Sequence, residues 1–439
     1  MKGYGSVMNF DECMQYIATV RKKCGISMGL ENMKRLLSLF DMPDASLKII
    51  HVAGTNGKGS TSSFIAQILG EAGYTVGRYV SPAVTGYCEK IQFVTGGGTE
   101  YISRESVAEY ITAIQDAVEV EAEDFHPSEF EIETLMSFLA FRDRGVDYVI
   151  LECGMGGKND ATNAVTGKEM CVFTTIDYDH TKYLGETLEE ITADKAGIMT
   201  PGCKTVSASQ PQESFYVLEE YSKKNSISIK YSQDILNCEY SLYGTKFFYR
   251  GHTYEIGLAG VFQPENAAVA IEAVTLLEND IDYDIIKAGL KKTKWPARFE
   301  IMSTEPLVLY DGAHNPAGVK KLGESLEKLF HRDEYIRVGI MGVFADKDIS
   351  GMARQLNGIF DEIHTVTAES GRAENADKLA ELIKRECDIT VMPHSDMNPS
   401  QVISLLEGRR KTHGSAAGKK NAYIVFGSLS MYCGLNSNI

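Results

Sequence analysis

Short apolar runs alternate with helical patterns along most of the chain. LKIIHVAG (47–54) predicts a buried strand entering a Gly-rich turn, and STSSFIAQILGEAG (60–73) predicts the helix after it. VDYVILECG (146–154) and EMCVFTTI (169–176) predict two more buried strands. Runs this apolar, separated by helices, indicate a parallel sheet covered on both faces. Gly96–Gly98 reads as a turn after the apolar stretch Ile91–Val94, and residues 411–421 as an exposed loop. Between Ser226 and Leu258 the pattern changes to short β-like pieces, KFFYR (246–250) and HTYEI (252–256), joined by Gly244 and Gly251. After the helix-like 266–278 comes KKTKWPARFE (291–300), which holds the only Trp and a Pro and marks the expected domain boundary. The alternation then resumes with PLVLYDGAHNP (306–316), a helix to about Phe330, IRVGIMGVF (336–344), EIHTVTA (362–368) and NAYIVFGS (421–428). The expected fold is α/β. A P-loop-type, mainly parallel sheet with helices on both faces spans 1–295, and a smaller Rossmann-like α/β domain spans 296–439.

Gly54-Thr55-Asn56-Gly57-Lys58-Gly59-Ser60 lies where the first strand meets its helix. Small residues let backbone N–H groups close around phosphate oxygens, Lys58 reaches the outer phosphates, and the helix N-terminus adds partial positive charge. Two features depart from the general G-x-x-x-x-G-K-[ST] pattern: Val52 takes the place of the first Gly, and Gly59 separates Lys58 from the hydroxyl residue. The plainer alternative is a Gly-rich strand–helix turn with a solvated lysine.

Downstream, Glu152 ends a predicted strand, at the carboxyl edge where ligands of open α/β sheets gather. Asp179-His180 follows the next strand. A carboxylate and an imidazole at neighbouring strand ends can hold a hard cation against nucleotide phosphates. A capping carboxylate and an ordinary loop histidine are the alternatives.

A-G-T-N-G-K-G-S at 53–60 resembles the nucleotide loop of the folylpolyglutamate synthase and dihydrofolate synthase family, within the Mur-ligase superfamily of ATP-dependent amide-forming enzymes. The resemblance continues in order through Ser81-Pro82, S-E-F-E (128–131), L-E-C-G-M-G-G-K-N-D-A-T-N (151–163), D-H-T-K-Y-L-G (179–185) and D-K-A-G-I (194–198). It ends with F-Q-P-E-N-A-A (262–268), W-P-A-R-F-E (295–300), D-G-A-H-N-P (311–316) and M-G-V-F-A-D-K-D (341–348). It implies ATP contacts from Asn56, Gly57, Lys58, Gly59, Ser60, Asn266, Arg298 and Asp311, with the nucleotide between the two domains. Domain closure follows, with Thr293–Arg298 as the hinge candidate. The resemblance also implies two Mg²⁺ ions, held by Ser81, Glu152, His180 and a carbamate on Lys195. An ammonium at Lys195 that binds phosphate directly is the alternative. Lys58, Lys195 and His314 are the catalytic candidates, His314 for orienting the amino acid or the phosphate. Trp295 reads as a packed linker residue at least as readily as a substrate contact.

For the pterin end, the resemblance points to Phe130, Glu131, Lys158 and Asp160, although Phe130 also reads as plain core. This side drifts from the family pattern. Lys158-Asn159-Asp160 replaces Arg-Leu-Asp, Ala83-Val84 follows the Ser-Pro pair, and Glu89-Lys90 replaces Glu-Arg. Late in the chain, Gly427-Ser428-Leu429-Ser430 replaces Gly-Ser-Leu-Tyr. The implied reaction transfers the γ-phosphoryl group of ATP to a folate or dihydropteroate carboxylate, after which L-glutamate attacks the acyl phosphate.

Charge narrows the partners. The 439 residues carry 44 Lys plus Arg against 60 Asp plus Glu, a net −16, which argues against a nucleic-acid or anionic-membrane partner. Nine cysteines without a C-x-x-C indicate neither a zinc knuckle nor a disulfide framework. No signal peptide or membrane span is expected, so a cytoplasmic protein is the expectation; a monomer is one reading, and the sequence leaves the oligomeric state open. A cell-wall Mur ligase typically carries a UDP-substrate domain before its phosphate loop, and only 53 residues precede Gly54. A Mur-type ligase acting on a non-folate carboxylate, a P-loop kinase and a non-catalytic nucleotide-binding protein are the competing readings.

Overall fold

The computed structural model of the chain describes residues 7–25, 28–121, 124–278, 280–413 and 418–436. Its described residues divide into two compact units. One comprises Met1–Ile176, Thr181–Ser232 and Ala268–Gly289; the other comprises Asp177–His180, Gln233–Ala267 and Leu290–Ile439.

Strands without a polar face need cover on both sides, and the first unit supplies it. Ile49–Ala53 and Tyr148–Glu152 are buried at every position. They sit at the centre of an eight-stranded sheet, in the order Gly98–Tyr101, Ile91–Thr95, Val76–Tyr79, Tyr148–Glu152, Ile49–Ala53, Met170–Phe173, Lys204–Ser207, Ile229–Tyr231. The first two strands are antiparallel additions, and the remaining six run parallel. One core packs the helices Phe10–Cys24, Glu31–Leu39, Arg104–Glu119 and Glu129–Arg144 through residues such as Ile17, Leu37, Ile111 and Phe138. A second core, around Phe173, Ile191 and Leu218, packs Leu188–Ala196 and Gln212–Asn225. The helix Lys58–Glu71 is buried around most of its circumference, which its run of Gly, Ser, Thr and Ala permits.

The second unit holds a six-stranded sheet in the order Glu300–Thr304, Leu307–Asp311, Lys420–Phe426, Tyr335–Met341, Glu362–Val366, Thr390–His394. All pairs are parallel except the antiparallel Glu300–Thr304 edge. The β-like pieces of the middle region form a separate antiparallel sheet, Leu236–Ser241, Gly244–Tyr249 and His252–Ile256. The loop expected over 411–421 is shorter than its composition suggests. The helix Pro399–His413 extends into it and the strand Lys420–Phe426 begins within it, while 414–417 lie outside the described residues.

Candidate active site

The phosphate loop is held by the strand beside it. Thr55 and Asn56 donate their backbone N–H groups to the Thr175 carbonyl, at 2.9 and 3.3 Å. Gly54 turns at φ +147, and a Cβ there would lie 2.0 Å from Thr174 Oγ1, so only glycine fits. Gly57, at φ +92, starts the helix Lys58–Glu71. Within a helix, the first-turn N–H groups, here those of Lys58, Gly59 and Ser60, lack acceptors of their own. Ser60 is buried, and its Oγ has no hydrogen-bond partner among the described residues. Val52 lies inside the strand and is fully buried, so the altered first position of the motif belongs to the sheet and not to the loop.

Two cations converge on this loop. Lys58 Nζ donates to the carbonyls of Gly54 (3.1 Å) and Thr55 (3.2 Å). Lys195 Nζ, on a side chain only 4% exposed, donates to the same Gly54 carbonyl at 2.9 Å. A third cation is one that sequence reasoning missed. Arg78 is buried and donates to the Gly59 carbonyl at 2.7 Å and to Gln92 Oε1 at 3.1 Å. Gln92 in turn donates to the Glu89 carbonyl, and Glu89 Oε2 accepts the N–H groups of Val84 and Thr85. The network therefore joins the loop's helix to the segment that follows Ser81.

Lys195 is placed by a close fit between two motifs. Asp194 Oδ1 accepts the Gly157 N–H at 2.8 Å, and the Asp194 carbonyl accepts the Lys158 N–H at 2.8 Å. A Cβ on Gly157 would meet the Lys195 backbone at 2.8–2.9 Å. The turn at 154–158 and the helix end at 194–198 thus form one packed piece. Glu152 closes its strand beside the loop, paired in register with Val52, and is 6% exposed.

The substrate-side residues are engaged within the fold. Glu131 Oε2 accepts the Ser128 N–H and hydroxyl, each at 2.7 Å, as the capping box of Glu129–Arg144. Burial pushes its carboxyl above the usual range, against the Ser128 hydrogen bonds. Asp160 accepts N–H groups from Met155 and Thr162. Burial raises its carboxyl as well, against those bonds. The Phe130 ring lies 6.0 Å from that of Tyr79 and covers Gly154, while Lys158 is exposed.

In the second unit, Arg298 sits between two residues in the left-handed region, Ala297 (φ +58) and Phe299 (φ +49). Each non-glycine residue held there costs of order 1–3 kcal/mol, which neighbouring contacts must offset. They do so here: Gly312 N–H donates to the Ala297 carbonyl, Ala297 N–H to Glu300, and Phe299 N–H to Asp311 Oδ2. Burial raises the Asp311 carboxyl, opposed by the charge of Arg298 and the N–H groups of Ala313 and Phe299. Trp295 is buried, and Asn266 donates to Gln263 Oε1 at 3.1 Å.

The same unit contains an ion cluster that joins the candidates His180 and His314 to Asp179 and to two residues with no role expected from the sequence, Asn315 and Lys347. Asp179 accepts from Lys347 Nζ (2.8 Å), from Asn315 Nδ2 (3.2 Å) and from the His180 N–H (2.8 Å), with His314 Nε2 at 3.6 Å. Burial alone would raise the Asp179 carboxyl. The His314 contact and the charges of Lys347, His180 and His314 outweigh it and hold the group well below the ordinary carboxylate range. His180 itself adopts φ +52. Among the described residues, no three or more His, Cys, Asp or Glu side chains gather as a metal cluster. The set expected from the sequence contains only two such residues, Glu152 and His180, and so depends on a hydroxyl and a carbamate for the rest.

Comparison with known proteins gives this geometry a family. Residues 52–274 match the Mur ligase middle domain, and residues 297–428 match the Mur ligase glutamate ligase domain. The dihydrofolate synthase/folylpolyglutamate synthase of Bacillus subtilis is 34% identical, over 93% of this chain and 94% of its own. The folylpolyglutamate synthase of Lacticaseibacillus casei is 32% identical, over 82% and 85%. Among solved structures, the Mycobacterium tuberculosis folylpolyglutamate synthase complexed with ADP superposes with a TM-score of 0.88 at 27% identity, covering 97% of this chain and 98% of that one. An FPGS–AMPPCP–folate complex superposes at 0.81 with 27% identity, covering 98% and 99%. The chain belongs to the folylpolyglutamate synthase/dihydrofolate synthase family of the Mur ligases.

Proposed function

We propose that this protein is an ATP-dependent ligase that joins L-glutamate to the carboxylate of a folate or of dihydropteroate through an acyl phosphate. The observation that carries the reading is the phosphate loop, with Lys58 and Lys195 both donating to the Gly54 carbonyl. Phosphoryl transfer asks mainly for positioning and charge neutralisation. The first-turn N–H groups and Lys58 would hold the β- and γ-phosphates. Holding carboxylate and γ-phosphate in line contributes roughly 7–11 kcal/mol through proximity. Asn266, Arg298 and Asp311 are assigned to ATP, and His314 to orienting the incoming amino acid or the phosphate. Residues 1–295 serve as the ATP-binding domain and 296–439 as the glutamate-ligase domain.

The donor set fits Mg²⁺: Ser81, Glu152 and His180 are candidate ligands, with a carbamate on Lys195 as an anionic fourth. The buried Ser60 hydroxyl is an orphan that a phosphate or a hydrated cation would satisfy. When bound, Mg²⁺ would neutralise charge developing on the transferred phosphoryl group.

ADP release with Mg-ATP and L-glutamate, with dihydropteroate or a tetrahydrofolate added in parallel, tests the proposal. Stimulation by both identifies a bifunctional enzyme, and stimulation by one fixes the substrate. Stimulation by neither, with ATP still bound, overturns the folate assignment. It would favour a ligase for another carboxylate, a reading supported by the internal engagement of Glu131 and Asp160.

A further inference from the structure

We propose that Cys171 and Cys203 form a reversible disulfide when the protein meets a peroxide, and that this bond loosens the turn that carries Lys195. The two Sγ atoms lie 3.5 Å apart in the first unit. Cys171 is the second residue of Met170–Phe173, and Cys203 immediately precedes the neighbouring parallel strand Lys204–Ser207. A disulfide requires about 2.05 Å, so the sulfurs must close by roughly 1.5 Å, within reach of side-chain rotation.

The two thiols have different parts. Cys203 follows the exposed Pro201-Gly202 turn and is 8% exposed, whereas Cys171 is fully buried. Cys203 Sγ lies 3.5 Å from Cys171 Sγ and 3.7 Å from Thr205 Oγ1, and it receives the Thr200 N–H (3.4 Å). The Cys171 contact, resisted by burial and aided by Thr200 and Thr205, brings the Cys203 thiol down to about 5. Burial moves the Cys171 thiol the other way. Cys203 is therefore the thiolate that attacks, and Cys171 the thiol that resolves.

The chemistry balances. The Cys203 thiolate attacks one oxygen of hydrogen peroxide, the O–O bond breaks, and Cys203 becomes a sulfenic acid as hydroxide leaves. Cys171 then gives up its proton and attacks the Cys203 sulfur. The S–S bond forms, the S–O bond breaks, and the departing hydroxyl takes the proton as water. Two thiols and one peroxide give one disulfide and two waters, with two electrons passing from sulfur to oxygen.

The bond acts on the Lys195 turn through a single carbonyl. Cys171 S–H donates to the Ile198 carbonyl at 3.3 Å, and oxidation removes that donor. Ile198 N–H is bonded to the Lys195 carbonyl at 3.2 Å, so the freed carbonyl lies one turn from Lys195. Lys168 Nζ, 2.7 Å from the same carbonyl, remains as its other partner. Oxidation therefore loosens this helix end without unfolding it.

The test treats the full-length protein with limiting hydrogen peroxide, alkylates the remaining thiols and maps the peptides by mass spectrometry. The expected result is a Cys171–Cys203 crosslink as the main product among nine cysteines, reversed by dithiothreitol. In Cys171→Ser, Cys203 should instead be trapped by dimedone as the sulfenic acid. Oxidation confined to other cysteines, or direct passage of Cys203 to sulfinic acid in the wild type, overturns the proposal. The functional arm rests on the ligase reading. Fully crosslinked enzyme should turn over at least several-fold more slowly and recover on reduction, and the Cys171→Ser/Cys203→Ser variant should be insensitive. An unchanged rate at full crosslinking overturns the coupling to Lys195, and the crosslink itself is read without any activity.

Discussion

Asp179→Asn removes the charge, together with the acceptor that Oδ2 offers to Asn315 Nδ2. Its Oδ1 faces Lys347 Nζ at 2.8 Å, on side chains that are 11% and 10% exposed. At an effective dielectric of ~20, unit charges at that distance attract by about 6 kcal/mol gross. Desolvation cancels much of this, and removing one partner of a buried pair typically costs about 3–5 kcal/mol. The asparagine oxygen can still accept from Lys347 and from the His180 N–H, so the expected loss is about 3 kcal/mol. For a unit of this size that corresponds to a fall of roughly 6–12 °C in Tm. The only tryptophan, Trp295, is buried in the same unit, so urea unfolding followed by its fluorescence reads that unit directly. Lys347→Met, alone and combined with Asp179→Asn, completes a double-mutant cycle with an expected coupling of about 2 kcal/mol. A loss below about 1 kcal/mol for Asp179→Asn, or strict additivity in the cycle, would refute the claim that this pair holds the 177–180 segment in place.

Three further substitutions probe the phosphate loop. Gly54→Ala places a methyl 2.0 Å from Thr174 Oγ1 at φ +147, and should weaken ATP binding at least tenfold by calorimetry. Thr174→Ala in the same chain should restore it only in part, because the backbone strain remains, and wild-type affinity in the single variant would contradict the packing argument. Arg78→Met leaves the Gly59 carbonyl and Gln92 without their buried donor, for an expected loss of roughly 2–3 kcal/mol and a raised KM for ATP. Arg78→Lys should recover part of both, and an unaltered KM would reduce Arg78 to a packing residue. Lys195→Ala should abolish amide formation while ATP still binds, and intact ligase activity would end the role proposed for Lys195.

The parallel sheets were legible where strands are apolar over most of their length. Ile49–Ala53, Tyr148–Glu152 and Leu307–Asp311 have no competing pattern, so period and burial agree. Val76–Tyr79 and Lys204–Ser207 were not legible, because Arg78 and Thr205 are polar yet buried and break the apolar run. The Arg78 partner, Gly59, lies on another element, outside any window of strand length. The same limit applies to Asp179. The sequence shows D-H at 179–180 and A-D-K-D at 345–348, but only the fold brings Asp179 and Lys347 together. Glu131 and Asp160 show the converse. Their local role as caps could be read from S-E-F-E and D-A-T alone, and it accounts for the hydrogen bonds they make.

A net charge of −16 and a phosphate site are reconciled by the arrangement of three cations on one loop. Lys58 and Lys195 both donate to the Gly54 oxygen, at 3.1 and 2.9 Å, so their ammonium groups stand no more than about 6 Å apart. At an effective dielectric of ~20 such a pair repels by about 3 kcal/mol or more. Arg78 adds a third positive group beneath the adjacent Gly59 carbonyl. Positive groups therefore gather at a partly exposed loop, and an anion placed among them is attracted. Phosphate oxygens would supply that anion from outside, and a carbamate on Lys195 would supply it from within by reversing the sign of one member. A carbamate and an ammonium at Lys195 differ in one observable. Phosphate binding leaves the mass of the protein unchanged, whereas carbamylation adds the mass of CO₂ and makes activity depend on bicarbonate. Ligase activity independent of bicarbonate across the whole concentration range would leave Lys195 as a phosphate-binding ammonium.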